Sequence, residues 1–217
     1  MLKDIGIVIL SLIVGFVTTV ALYIYLPKQN LITISIPRVT SVNTTHFSLE
    51  KAPTQSLVGT ISSLSGQVLW QSRIANAESP IIASQQIQQG ESVETTDGTA
   101  SIAFASALLA QIEKNTQVNI IQTLPADIVI QQTQGTTDYQ RLGTIPVSIR
   151  GLDLLLSVER GEVTIVVDPL TSHVNVIVKS GKITAAYTNK QNQTNIKTIS
   201  AGQQLLFNNN TKQLTLR

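Results

Sequence analysis

The chain reads as an all-β protein, a stacked β-solenoid or β-roll-like domain preceded by one N-terminal transmembrane helix. Three observations predict this. Ile5 to Leu26 is an unbroken charge-free run, IGIVILSLIVGFVTTVALYIYL. Beyond it, apolar and polar residues alternate with the period of a strand, as in Ile102, Phe104, then Leu108, Ala110, Ile112, and again in Val174, Val176, Val178. Third, a glycine followed by polar residues and an apolar strand recurs five times, at Gly66, Gly90, Gly161, Gly181 and Gly202. The last three of these are almost evenly spaced.

The elements follow in order. Residues 1–4 form a short tail expected in the cytoplasm. Residues 5–26 rise about 1.5 Å each as a helix and so reach roughly 33 Å, enough for a hydrocarbon core of about 30 Å. A cleaved signal has a shorter apolar centre and small residues at its cleavage point, whereas this run ends Tyr23-Ile24-Tyr25-Leu26-Pro27. Tyr23 and Tyr25 suit an interfacial belt, and Pro27 ends the helix. Lys3 before the span and Lys28 after it leave the charge bias even. A short tail before a first span ordinarily stays inside, which carries the remainder outward. The expected location is therefore the cell membrane, single-pass, with the C-terminal part extracytoplasmic.

Residues 27–56 read as a linker or tether with one short strand over Leu31 to Ile36, closed by Pro37. Residues 57–217 read as the β domain. Each repeat glycine permits positive φ at a tight turn. A repeat of roughly 20 residues suits coils that each cover the open face of the last. A β-sandwich with evenly spaced hairpins is the alternative. Gly135, Gly143, Pro146 and Gly151 make residues 133–152 a loop or crossover joining two halves of one core.

Composition excludes several functions. There is no cysteine, so disulfides, thiolate chemistry and cysteine metal sites are out. Charged residues are 13% of the chain and the formal net charge is +2, with no basic stripe of the kind nucleic acid requires. Polarity comes from Gln, Asn, Ser and Thr.

The order of segments from Gly59 to about residue 207 resembles the FecR domain. Gly66-Gln67-Val68 is followed by Ile87-Gln88-Gln89-Gly90-Glu91-Ser92-Val93-Glu94-Thr95, then Ala100 to Phe104, and Asn115-Thr116-Gln117-Val118-Asn119-Ile120. Leu156 to Val163 is similar to the next strand of that family, and Ser200-Ala201-Gly202-Gln203-Gln204 to its Gly-Gln turn. Ala105-Ser106-Ala107 stands where the family has Asp-Gly-Ser, and Ile149-Arg150-Gly151-Leu152-Asp153-Leu154 keeps only a loose likeness to its Val-Arg-Gly-Thr-x-Phe stretch. The resemblance implies the extracytoplasmic β module. Family members that regulate sigma factors carry a cytoplasmic domain before the span; only Met1 to Asp4 precede it here, so the regulator role is not expected to carry over.

No catalytic, cofactor or metal set assembles from the residues. His46 and His173 are the only histidines, and a zinc site needs three or four ligands. Ser63-Leu64-Ser65-Gly66 lacks the first glycine of a nucleophile elbow. Asp153 with Glu159, and Glu162 with Asp168, are carboxylate pairs on paper that read better as turn or strand-face residues. Asp97-Gly98 is a turn and lacks the repeated oxygen ligands of a calcium loop. Trp70, with Arg73 close by, is either a contact residue or the buried end of a strand. The expectation is a non-enzymatic binding, assembly or sensing module with a protein or cell-envelope partner besides the membrane, and no nucleic acid. A wall- or glycan-binding spacer is the competing expectation.

Overall fold

The structure, a computed structural model, describes residues 55–217. The predicted span over residues 5–26 and all but the last two residues of the tether lie outside the described residues. The described residues form fifteen strands and no helix. They are β1 (Gly59–Ser65), β2 (Val68–Gln71), β3 (Ser79–Pro80), β4 (Gln85–Ile87), β5 (Ser92–Thr95), β6 (Thr99–Phe104), β7 (Leu108–Ile112) and β8 (Thr116–Leu124). There follow β9 (Asp127–Arg141), β10 (Val147–Gly151), β11 (Leu154–Asp168), β12 (His173–Thr188), β13 (Thr194–Ser200), β14 (Gln204–Asn208) and β15 (Gln213–Leu216).

Alternation drives most of these strands. Ala100, Ile102 and Phe104 of β6 are buried, as are Leu108, Ala110 and Ile112 of β7 and Val174, Val176 and Val178 of β12. Most outward neighbours are polar or small, Leu109 and Ile177 being the large exceptions, so a strand buries one face and solvates the other. The buried apolar residues form one cluster that runs from Ile61 to Phe207.

Three long strands fold in half. β9 bends at Gly135, β11 at Gly161 and β12 at Gly181, with φ of 84°, 93° and 79°. The first arm of β9 pairs with β8 and β10, and its second arm with β7 and β11. The first arm of β11 lies between β10 and the second arm of β12. Its second arm lies between β9 and the first arm of β12. β13 continues from one arm of β12, and β14 and β15 continue from the other.

Two layers result. One runs β3-β2-β5-β8-β9-β10-β11-β12-β13, the other β4-β1-β6-β7-β9-β11-β12-β14-β15. They pack face to face. A Cβ on Gly151 of the first layer would sit 3.0 Å from Val167 and 3.4 Å from Val174 of the second. The rings of Tyr187 and Phe207, one from each layer, are 5.5 Å apart. The sheet does not close. It ends in β3 and β4 on one side and β13 and β15 on the other.

The bends lie along two seams on opposite long sides. Val167 pairs with Gly135 at the bend of β9, whereas Gly161 pairs with Arg141 at the far end of that strand. The first half thus folds along one seam and the second half along the other. Residues 142–146 carry the chain from the second layer back to the first, which makes β9–β10 the one parallel pairing among those described. Arg141 staples this crossing. Its guanidinium donates to the carbonyls of Gly143 (3.1 Å), Thr144 (2.5 Å), Val158 (3.0 Å) and Glu159.

Two expectations are corrected. Solenoid coils advance in parallel, but here every described pairing except β9–β10 is antiparallel. The even glycine spacing measures one arm, a hairpin turn and the next arm, from bend to bend. All five repeat glycines do take positive φ, from 65° to 93°. The face-to-face layers are nearer the sandwich alternative, joined through bent strands. Residues 133–152 are also not one loop: they hold the second arm of β9 and all of β10, and only 142–146 cross. Gly135 is a bend inside a strand whose inward residues, Thr137 and Tyr139, are fully buried.

Candidate functional site

Most residues with chemistry are spent on structure. His46 lies outside the described residues. His173 opens β12, its Nε2 3.0 Å from the Asn208 side-chain amide. Asp153 and Glu159 stand at opposite ends of the first arm of β11 and do not meet. Lys212 forms a hydrogen bond to Asp153 that holds its carboxyl below the usual range. Glu159 accepts from the Thr184 hydroxyl at 2.7 Å and pairs with Lys182 at 3.3 Å, and the Thr184 bond is the main cause of its lowered pKa. Glu162 shares Lys179 with Asp138, both at 2.9 Å. Asp168 closes its own turn by accepting from the Thr171 hydroxyl (2.6 Å) and the Leu170 amide (3.0 Å), which lowers its pKa. Asp97 accepts from the Gln67 amide at 2.9 Å and fixes the corner between β1 and β2. Ser63 falls within β1.

Trp70 takes the structural role of its two alternatives. It is half-buried against the core, and its indole N–H donates to Glu91 at 3.2 Å. Arg73 packs over Gly90 and donates to the Gln89 carbonyl. Among the described residues no three His, Asp or Glu side chains gather where a metal could sit.

The interior holds a polar group that the sequence pattern hides. Gln132 is fully buried beside the β9 bend. Its amide donates to the carbonyls of Gly135 (2.7 Å) and Ile165 (3.1 Å), and its oxygen accepts from the Tyr139 hydroxyl at 3.2 Å. Gly135 lies at the bend and Ile165 in the facing strand, and a buried carbonyl needs a donor. Burial pushes the Tyr139 pKa upward, so the phenol stays protonated and donates. The group braces a corner and faces no cleft.

The open end at β13 is different. Among the described residues β13 hydrogen-bonds only to β12, so one side of its seven residues has no strand partner there. In an antiparallel edge every second residue points its N–H and C=O away from the sheet. Ile199 faces the core, so Lys197, two residues earlier, shares the inward side yet stays exposed at the end of the stack. On the outer face, Leu155, Ala186 and Ile196 lie directly side by side across β11, β12 and β13. Ile196 is 66% exposed. The next outer row, Ser148, Ser157, Thr184 and Thr198, is a line of hydroxyls across four strands. The opposite end is blunter. β3 has two residues, one of them Pro80, and β4 has three.

Charge separates along the stack. Residues 169–217 hold six Lys and Arg and no Asp or Glu. Three of the six, Lys179, Lys182 and Lys212, pair with carboxylates, while Lys190, Lys197 and Arg217 have no carboxylate partner among the described residues. The stretch from β1 to β8 carries Glu78, Glu91, Glu94, Asp97 and Glu113 against Arg73 and Lys114. Desolvation, with Glu78 close by, raises the Glu94 pKa.

A surface cleft of about 580 Å³ lies where the turns after β10 and β12 meet. Arg150, Asp153, Asn189, Asn192 and Lys212 supply its polar groups. Asp153 and Lys212 neutralise one another there, which leaves Arg150 and the two amides as its recognition groups.

No protein-family model and no curated protein matches the chain. Among solved structures it is similar to two crystal structures of a "putative anti-sigma factor" from Parabacteroides distasonis ATCC 8503. One has a TM-score of 0.51 at 9% identity and covers 58% of each chain. The other has a TM-score of 0.49 at 10% identity and covers 57% of each. The chain thus spans less than two thirds of the length of these neighbours. At such identity the likeness is one of fold, and it agrees with the FecR-like fold that the motifs imply.

Proposed function

We propose that this protein is a membrane-anchored, extracytoplasmic FecR-like β module that binds a partner strand and has no catalytic role. The unpaired side of β13 carries the reading. An exposed edge of this length is a template for β-augmentation, in which main-chain bonds give affinity and flanking side chains give selectivity. The charge-free run from Ile5 to Leu26 supports the anchor. The likeness in fold, over 58% of each chain, to a protein described as a "putative anti-sigma factor" supports assembly or sensing. Asp138, Asp153, Glu159, Glu162 and Asp168 are engaged in ion pairs or a turn, and His173 hydrogen-bonds Asn208, which supports a non-enzymatic role.

Site-specific photocrosslinking in intact membranes tests the edge. A probe at Thr198 is expected to capture a discrete protein partner, and one at Ser148, on the same face but away from the edge, is not. Equal capture from both positions, or none from Thr198, contradicts the edge. Protease treatment of spheroplasts tests the sidedness. Residues 57–217 should be digested from outside, and protection would reverse the topology.

The row of Ser148, Ser157, Thr184 and Thr198 favours a second reading, a wall- or glycan-binding spacer, because aligned hydroxyls suit sugar hydroxyls. Co-sedimentation with purified cell wall tests it, and loss of sedimentation on replacing Thr184 and Thr198 by Val is the expected signature.

A further inference from the structure

We infer that the partner of the β13 end is a second copy of this chain, docked head to tail, with the cationic β13 end of one copy against the acidic β3–β5 end of the next. The inference rests on the edge reading above and names its occupant. Three observations support it.

The first is charge complementarity. Lys190 and Lys197 stand at one end without a carboxylate partner among the described residues. Glu78 and Glu94 crowd together at the other, and no ion pair joins either to a described cation. Docking β13 on β3 brings the cations toward Glu78, which leads into the β3 edge, while Glu94 lies on the outer face two strands further in and adds to the negative field there.

The second is strand direction. β2 and β13 both run from the β9-bend seam toward the other seam, and β3 is antiparallel to β2. A copy stacked in the same orientation therefore sets β13 antiparallel to β3, as neighbouring strands in most of this layer already are. The same stacking turns Lys190, in the turn at the β9-bend side, toward the side where Asp97 lies. The β3 edge is short and contains Pro80, so the joint depends mainly on charge.

The third observation disfavours the obvious rival in its fully overlapped register. Lys197 is the middle residue of Thr194–Ser200. Two β13 strands paired about a two-fold axis at their centre would set Lys197 against Lys197, and like charges directly opposite destabilise a ladder. A head-to-tail contact leaves one end free in every assembly and so builds chains rather than closed dimers.

Sedimentation velocity on the full-length chain in non-ionic detergent tests the inference. At about 50 mM salt, species larger than two copies should grow with concentration, and about 500 mM salt should weaken association roughly tenfold or more, because exposed charge pairs are screened. Lys190→Glu with Lys197→Glu should abolish self-association, as should Glu78→Lys with Glu94→Lys, both with unchanged circular dichroism. Mixing the two variants should restore it, since each then supplies the end the other lacks. A chain that stays monomeric, assembly that stops at two copies, or a mixture that fails to associate overturns the inference. If Thr198 crosslinks a different protein while the purified chain stays monomeric, the head-to-tail contact falls and the edge reading survives. If Thr198 crosslinks nothing, both fall.

Discussion

At the scale of single residues, Gly161 and Gly181 make the sharpest demand on the sequence. Each takes positive φ, and a Cβ on either would stand 2.1 Å from a carbonyl oxygen of the facing strand, Ser180 for one and Arg160 for the other. No side chain yields there, because the obstacle is backbone. Gly202 shares the positive φ, but a Cβ there meets nothing within 4 Å. Gly202→Ala should therefore cost about 1 kcal/mol from backbone conformation alone. Gly161→Ala or Gly181→Ala should cost about 3 kcal/mol or leave the chain unfolded. Urea melts of the three variants compare them directly. Gln132→Leu removes the donor from two buried carbonyls and should lose about 2 kcal/mol, more than Tyr139→Phe at about 1 kcal/mol. The glycines were legible as repeat marks. Gln132 was not, because a lone glutamine among Gln, Thr and Gly looks like solvated surface until the bend buries it.

Glu94 gives a pH prediction at the same scale. Its folded pKa is raised, mainly by desolvation and then by Glu78. The folded state therefore holds the proton more tightly than the unfolded chain, and stability is lost as pH rises from the ordinary glutamate value through the raised one. Glu94→Gln should stabilise the dissociated protein at neutral pH, and the advantage should vanish below the ordinary glutamate pKa. An advantage that persists at low pH would mean that packing, not charge, is responsible.

Among elements, alternation makes β6, β7 and β12 readable in the sequence itself, because each shows an apolar residue at every second place along an unbroken run. The path of β9 was hidden by the same residues that shape it. Gly135 inside a strand and Gly143 and Pro146 just after it look alike in sequence, yet only the last two belong to a crossing. Strand direction was equally hidden. Evenly spaced glycines mark parallel coils and folded antiparallel arms alike, and only the register tells them apart. For β13 the prediction concerns the edge. Of the neighbours Lys197 and Thr198, one points its N–H away from β12. Proline at that position should leave stability within about 1 kcal/mol while weakening partner capture, and proline at the other should also unfold the edge by breaking a ladder bond. Thermal melts and the crosslinking yield from a probe at Ile196 separate the two.

Over the whole molecule, the architecture pairs a sheet that folds over itself with ends that remain open. One end is shortened to two- and three-residue strands, and the other presents seven residues beside cations that pair with no carboxylate among the described residues. The asymmetry of strand length and of charge runs the same way, and it is why we place the proposed partner at the β13 end. Composition alone could not reveal it, because a net charge of +2 averages the two ends away. Residue-resolved amide exchange on the full-length chain in detergent, at salt high enough to keep it dissociated, tests the open edge most directly. Alternate β13 amides should exchange at nearly unprotected rates while their neighbours, bonded to β12, stay slow. Uniform protection along Thr194 to Ser200, showing an edge already covered within the single chain, would contradict the account.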